Sequence, residues 1–160
     1  MLRSQGRGLF IQVASVGGRI TAPGLAAYQS AKFAVEGFSS VLRQEVAPLG
    51  IRVVVAEPGA MRTDWAGASM AVGEFDAAYG PTVGAFAERT RESSGRQPID
   101  PAAVAAVLVR LFEEADPPLH LLLGIDAVRY GREALEETLL QDARWADVGR
   151  SVDFEATEPE

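Results

Sequence analysis

Along the first sixty positions, short apolar runs alternate with turn residues and one long amphipathic stretch. Residues 9–14 (Leu9, Phe10, Ile11, Gln12, Val13, Ala14) follow Gly6 and Gly8 and predict a buried strand. Gly17, Gly18, Pro23 and Gly24 then impose a loop. From 25 to 49 only Pro48 interrupts the pattern, and Ala31, Val35, Phe38, Leu42 and Val46 recur at helical spacing, which predicts a long helix with that stripe buried. Pro48 and Gly50 end it, and the β-branched run over 51–56 predicts a second strand, closed by Glu57, Pro58 and Gly59. Strand, long helix, strand is a βαβ unit with parallel pairing.

The pattern loosens over 60–84, where Gly and Ala are interspersed with Met, Trp, Phe and Tyr, and a loop with short helical pieces is expected. A helix is predicted over 83–91. Asp100 and Pro101 suit an N-cap and first turn, and Val104, Val107, Leu108, Leu111 and Phe112 predict the buried stripe of the helix that follows. Pro117 and Pro118 stop that helix before a third strand at 119–123, and helical spacing returns over 125–145. Residues 151–160 form an acidic tail after a single domain over 1–150.

Composition narrows the classes of function. The 160 residues carry a formal charge of -7, which disfavours nucleic acid and anionic membrane as partners. No apolar run reaches the roughly 20 residues of a membrane span, and the amino terminus lacks a signal-type stretch, so a cytoplasmic location is the expectation. Cysteine is absent, which leaves no thiolate for a metal. The single His120 lies inside an apolar run and reads as a structural residue, because a metal site needs several convergent ligands.

Positive charge comes from fourteen arginines and one lysine. That lysine, Lys32, lies four positions after Tyr28, and positions i and i+4 share a helix face. A phenol is a poor acid or base near neutrality, with an ordinary pKa of about 10. An ammonium at ~4 Å and an effective dielectric of ~20 favours the phenolate by about 4 kcal/mol, enough to bring proton exchange with a substrate oxygen within reach. Ser15, at the end of the preceding strand, could donate to the same oxygen as charge develops. Chance alone gives a Tyr four before the lysine in about one such chain in fifty, so the setting carries the argument. Carboxyl ends of parallel strands are where open α/β sheets bind ligands, and all three residues gather there.

Ser15, Val16, Gly17 and Gly18, then Tyr28 to Lys32 with Phe33 and Ala34, then Pro58, Gly59, Ala60, Met61, Arg62 and Thr63, resemble the ordered serine, Tyr-x-x-x-Lys and Pro-Gly-x-x-x-Thr motifs of the short-chain dehydrogenases/reductases, in the compact single-domain branch. The resemblance implies the C-terminal part of a Rossmann-like, doubly wound parallel α/β sheet, with three strands retained. It also implies interconversion of a carbonyl and an alcohol with NAD or NADP. Tyr28 would be the general acid/base, Lys32 would hold the nicotinamide ribose and favour the phenolate, and Ser15 would polarise the carbonyl. Tyr28, Lys32, Pro58, Gly59, Met61 and Thr63 would meet the cofactor. Residues 60–84 would close over a small-molecule substrate, with Trp65 and Met70 as pocket walls or loop packing, while Arg62 and Asp64 read as solvated charges. A homo-oligomer through the 25–49 helix is a further expectation.

The glycine-rich strand-turn-helix that such enzymes place first has no counterpart, since Gly6, Arg7 and Gly8 precede a strand instead of following one. The resemblance then implies a chain that starts at the end of the fourth helix, an exposed strand edge at 9–14, and weak or no NAD(P)H binding by these residues alone. Two other readings remain at this point. One is a non-catalytic module or binding protein. The other is a sugar-nucleotide epimerase or dehydratase of the extended branch, which also uses Tyr-x-x-x-Lys.

Overall fold

The computed structural model describes residues 1–154, so the last six residues of the acidic tail lie outside the described residues. Three parallel strands form one sheet in the order β1-β2-β3: β1 (Gly8–Val13), β2 (Ile51–Pro58) and β3 (His120–Leu123). This is the α/β architecture that the runs at 9–14, 51–56 and 119–123 predict. A short helix α1 (Leu2–Gln5) precedes the sheet and ends at Gly6. The crossover from β1 to β2 is α2 (Ala26–Val46), followed by a single tight turn at Ala47–Leu49. Then come α3 (Ala85–Glu92), α4 (Pro101–Arg110) and α5 (Ile125–Arg150).

The central strand sets the core. Val53, Val54, Val55 and Ala56 of β2 are fully or almost fully buried, as expected for a strand covered on both faces. On one face, Ala56 meets Ile99, Val104 of α4 and Leu123 of β3, with Ile11, Met61 and Leu121 at the margin. Register pairs Gly8 with Ile51 and Val55 with His120, so the carboxyl ends of β1 and β2 open onto the same edge of the sheet. β1 lies at the side of the sheet with Phe10 and Val13 partly exposed, in keeping with the expected apolar edge.

Two predicted stripes need correction. On α2 the buried positions are Gln29, Glu36 and Ser39, while Ala31 and Phe38 of the expected stripe are exposed. The face turned to the sheet is polar because it meets a buried ionic cluster and a loop that needs hydrogen-bond partners. On α4, Val104 and Leu111 are buried as expected, but Phe112 lies past the end of the helix and is 62% exposed. Asp100 does cap α4, accepting from Ala102 N at 2.8 Å. The helix predicted over 83–91 begins later, at Ala85, after a wide turn at Gly80–Gly84 that contains Pro81, a residue without a backbone donor.

Candidate active site

β1 ends just before Ser15, which opens a short helical turn over Val16–Gly18 by accepting a hydrogen bond from Gly17 N at 3.0 Å. The serine oxygen lies 3.5 Å from Pro58 O, a long contact that leaves its hydrogen free to find a better acceptor. Gly17 lies between two functional groups. A Cβ there would sit 3.3 Å from Tyr28 Cε1 and 3.4 Å from Ser15 Oγ, so the serine turn and the tyrosine ring pack against one glycine.

Tyr28 stands in the first turn of α2, and the chain enters that turn under the control of its neighbour. Gln29, 6% exposed, accepts from Ala22 N and donates to Ile20 O, both at 2.9 Å, and so ties the loop after Ser15 to the helix that carries Tyr28. One helical turn on, Lys32 Nζ lies 5.7 Å from the centre of the Tyr28 ring and donates to Val13 O at 3.2 Å. The ammonium is thus anchored at the end of β1 and keeps further hydrogens for a ligand.

The opposite wall is the turn after β2. Asp126, at the start of α5, accepts from Ala60 N at 2.8 Å and from its own helix at Ala127 N. A Cβ on Gly59 would fall 2.3 Å from the Asp126 carboxylate, so a side chain there would displace Asp126 from the turn it holds. Met61 pairs with Ile99, and Thr63 Oγ1 accepts from Trp65 N at 3.4 Å. Ser15, Tyr28, Pro58, Gly59, Met61 and Thr63 line one cavity of about 510 Å³. Lys32 does not line it, but reaches it through Tyr28.

Arg62 and Asp64, read from the sequence as solvated charges, organise backbone. Arg62 Nε donates to Gln97 O at 2.9 Å, and the Asp64 carboxylate accepts from Ala68 N and Ser69 N. Beyond them lies a second chamber of about 550 Å³, against which Tyr28, Trp65 and Met70 all abut. The Tyr28 and Trp65 rings stand 5.8 Å apart at 47° and are shared by both spaces.

Sequence reasoning missed a charged cluster beneath the site. Glu57, fully buried in β2, has both oxygens within 2.9 Å of Arg19 Nη2. His120 Nδ1 lies 3.0 Å from Glu57 Oε1 and 3.0 Å from Glu36 Oε2. Burial above all, then the hydrogen bond and charge of Glu57, push the Glu36 carboxyl from 4.5 up to about 8, against the pull of Arg19 and Lys32. Glu36, Glu57 and His120 place ligand-type atoms within 4.8 Å of one another, the geometry of a metal site. Arg19 already balances Glu57, and a proton on Glu36 removes the second charge, so the set is compensated without a cation. The polar spacing of Gln29, Lys32, Glu36 and Ser39 along one helix face was the available signal.

Known proteins resemble this chain in sequence and in fold. Residues 1–71 match the family model described as short chain dehydrogenase. Oxidoreductase BOA17 of Botryotinia fuckeliana is 51% identical over 148 residues, covering 92% of this chain and 54% of that protein. A short-chain dehydrogenase from Streptomyces avermitilis superposes with a TM-score of 0.82 at 35% identity, over 96% of this chain and 55% of that one. A short chain dehydrogenase/reductase from Burkholderia phymatum, solved in complex with NAD, shares the fold at a TM-score of 0.67 and 16% identity, over 86% of this chain and 50% of that one. The chain spans about half the length of the relatives it matches. With 51% identity to an oxidoreductase over 92% of its length and a sheet that superposes on that of a short-chain dehydrogenase, the chain belongs to the short-chain dehydrogenase/reductase family of oxidoreductases.

Proposed function

We propose that these residues carry the proton-transfer half of an NAD- or NADP-dependent interconversion of a carbonyl and an alcohol. The observation that carries the reading is the convergence of Ser15 and Tyr28 on Gly17, with Lys32 5.7 Å from the Tyr28 ring, at the edge of a cavity floored by Pro58 to Thr63. Pro58, Gly59, Ala60, Met61 and Thr63 of the turn after β2 line the cavity. A nicotinamide there would supply or accept the hydride.

In the reductive direction, Tyr28 Oη gives its proton to the carbonyl oxygen, and Ser15 Oγ donates a hydrogen bond to the same oxygen as charge builds on it. Lys32, held by Val13 O, offers its remaining hydrogens to the ribose. In the oxidative direction the phenolate takes the alcohol proton. The NAD complex of the Burkholderia phymatum neighbour is consistent with a nicotinamide cofactor; it does not choose between NAD and NADP for this chain.

The test follows absorbance of NADH and NADPH at 340 nm with a panel of ketones, using these residues in a form that carries a complete nucleotide site. Tyr28→Phe should lower turnover by about 10²- to 10⁴-fold while cofactor affinity is kept. Unchanged turnover would remove Tyr28 from the mechanism.

A further inference from the structure

We propose that the second chamber selects a substrate with a bulky apolar body and no anionic group, so that its reacting oxygen is its main polar feature. This rests on the carbonyl-alcohol reading of Tyr28. The chamber, about 550 Å³, lies within the range of small-molecule sites. Leu25, Trp65, Met70, Val72, Phe75 and Phe86 supply its walls.

The polar side chains of the chamber differ in kind from those of the neighbouring cavity. Tyr28, Trp65, Ser69 and Glu74 are the chamber's hydrogen-bonding or charged side chains, and among the described residues no Lys or Arg lines it. Arg89, Thr90, Ser93 and Gln97 line the cavity on the other side of Tyr28 and Trp65. A substrate carboxylate or phosphate in the chamber would therefore find no cation and would face the Glu74 carboxylate. An apolar body avoids both penalties and places a single oxygen at Tyr28, where the proton is exchanged.

One side of the wall is tied to Asp64. Asp64 accepts from Ala68 N at 3.2 Å and Ser69 N at 3.1 Å, and Ser69 Oγ donates to Asp64 O, which fixes the turn that presents Met70. Trp65 leans on Tyr28, closing the boundary between the reacting cavity and the apolar chamber.

The chain has two tryptophans, Trp65 and Trp145, so a Trp145→Phe background leaves Trp65 as a reporter inside the site. In that background, without cofactor, Trp65 emission is titrated with 2-acetylnaphthalene, an apolar aryl ketone, and with pyruvate, a small anionic one. The expected result is saturable quenching by the aryl ketone and binding of pyruvate at least about 100-fold weaker. Met70→Glu, in an exposed loop, should weaken the aryl ketone at least tenfold with the far-ultraviolet circular dichroism unchanged. Phe75→Asp repeats the test from another part of the wall should the first variant misfold. Pyruvate binding as tightly as the aryl ketone, or loss of neither wall residue mattering, would overturn the proposal. Because binding is read without hydride transfer, intact aryl-ketone binding beside Tyr28-independent turnover would strike the reaction and spare the chamber.

Discussion

Replacing Glu36 with Gln keeps the size and shape of the side chain and removes its titration. In the folded protein this carboxyl, crowded by buried Glu57 and largely cut off from water, holds its proton up to about pH 8, whereas its ordinary value is 4.5. The unfolded chain therefore releases a proton that the folded chain keeps. Stabilisation from this group is fully present below pH 4.5 and is lost as pH rises through about 8. At about 1.4 kcal/mol for each pH unit the interval is worth at most about 5 kcal/mol, a large share of a typical domain's stability of roughly 5–15 kcal/mol. Urea unfolding followed by circular dichroism at pH 5, 6, 7 and 8 measures it. Arg19, Lys32, Glu57 and His120, the other charged or titratable groups of the cluster, are common to both proteins, so their own pH dependence largely cancels in the difference. Glu36→Gln should gain on the wild type by about 3–4 kcal/mol between pH 5 and 8. A difference that stays constant with pH would show that Glu36 ionises normally and would refute the reasoning.

Two further outcomes follow from close contacts. Arg19→Met should destabilise the fold by about 3–5 kcal/mol by leaving the fully buried Glu57 without its guanidinium partner and with His120 alone beside it, and the double change with Glu57→Leu should recover most of that loss; thermal melts of the four proteins would expose an error if the double variant were no better than the single. Gly59→Ala should disrupt the turn that Asp126 holds, and Gly59→Ala with Asp126→Ala should melt closer to the wild type than Gly59→Ala alone; equal melting of both variants would mean that the Asp126 contact is not what excludes a side chain.

What could be read from the sequence was local or motif-bound. The three strands announced themselves as apolar runs between turn residues, Asp100 as a cap, and Ser15, Tyr28 and Lys32 as groups that parallel-strand topology must gather at one edge. What escaped was decided across the sheet. Glu36 and His120 are 84 positions apart in numbering, and only the register that pairs Val55 with His120 brings the imidazole beside both carboxylates. Hydrophobic periodicity cannot register a buried stripe made of Gln29, Glu36 and Ser39, so it centred the core face of α2 on Ala31 and Phe38, which are exposed, with Val35, Leu42 and Val46 only partly buried. Gln29 falls between Tyr28 and Lys32 in the sequence, yet only its two hydrogen bonds show that it ties the serine loop to the helix.

The last helix of the described chain is 26 residues long, about 39 Å at 1.5 Å per residue, and its buried positions are Ala127 and Gly131. From Arg132 onward it has its own hydrogen bonds and pairs such as Arg132 with Glu136, but no buried residue. Its two halves therefore belong to different energetic units. The first opens only when the sheet does, whereas the second can unwind without disturbing a single core contact, a molecule with one folding transition at its centre and a gradual one at its end.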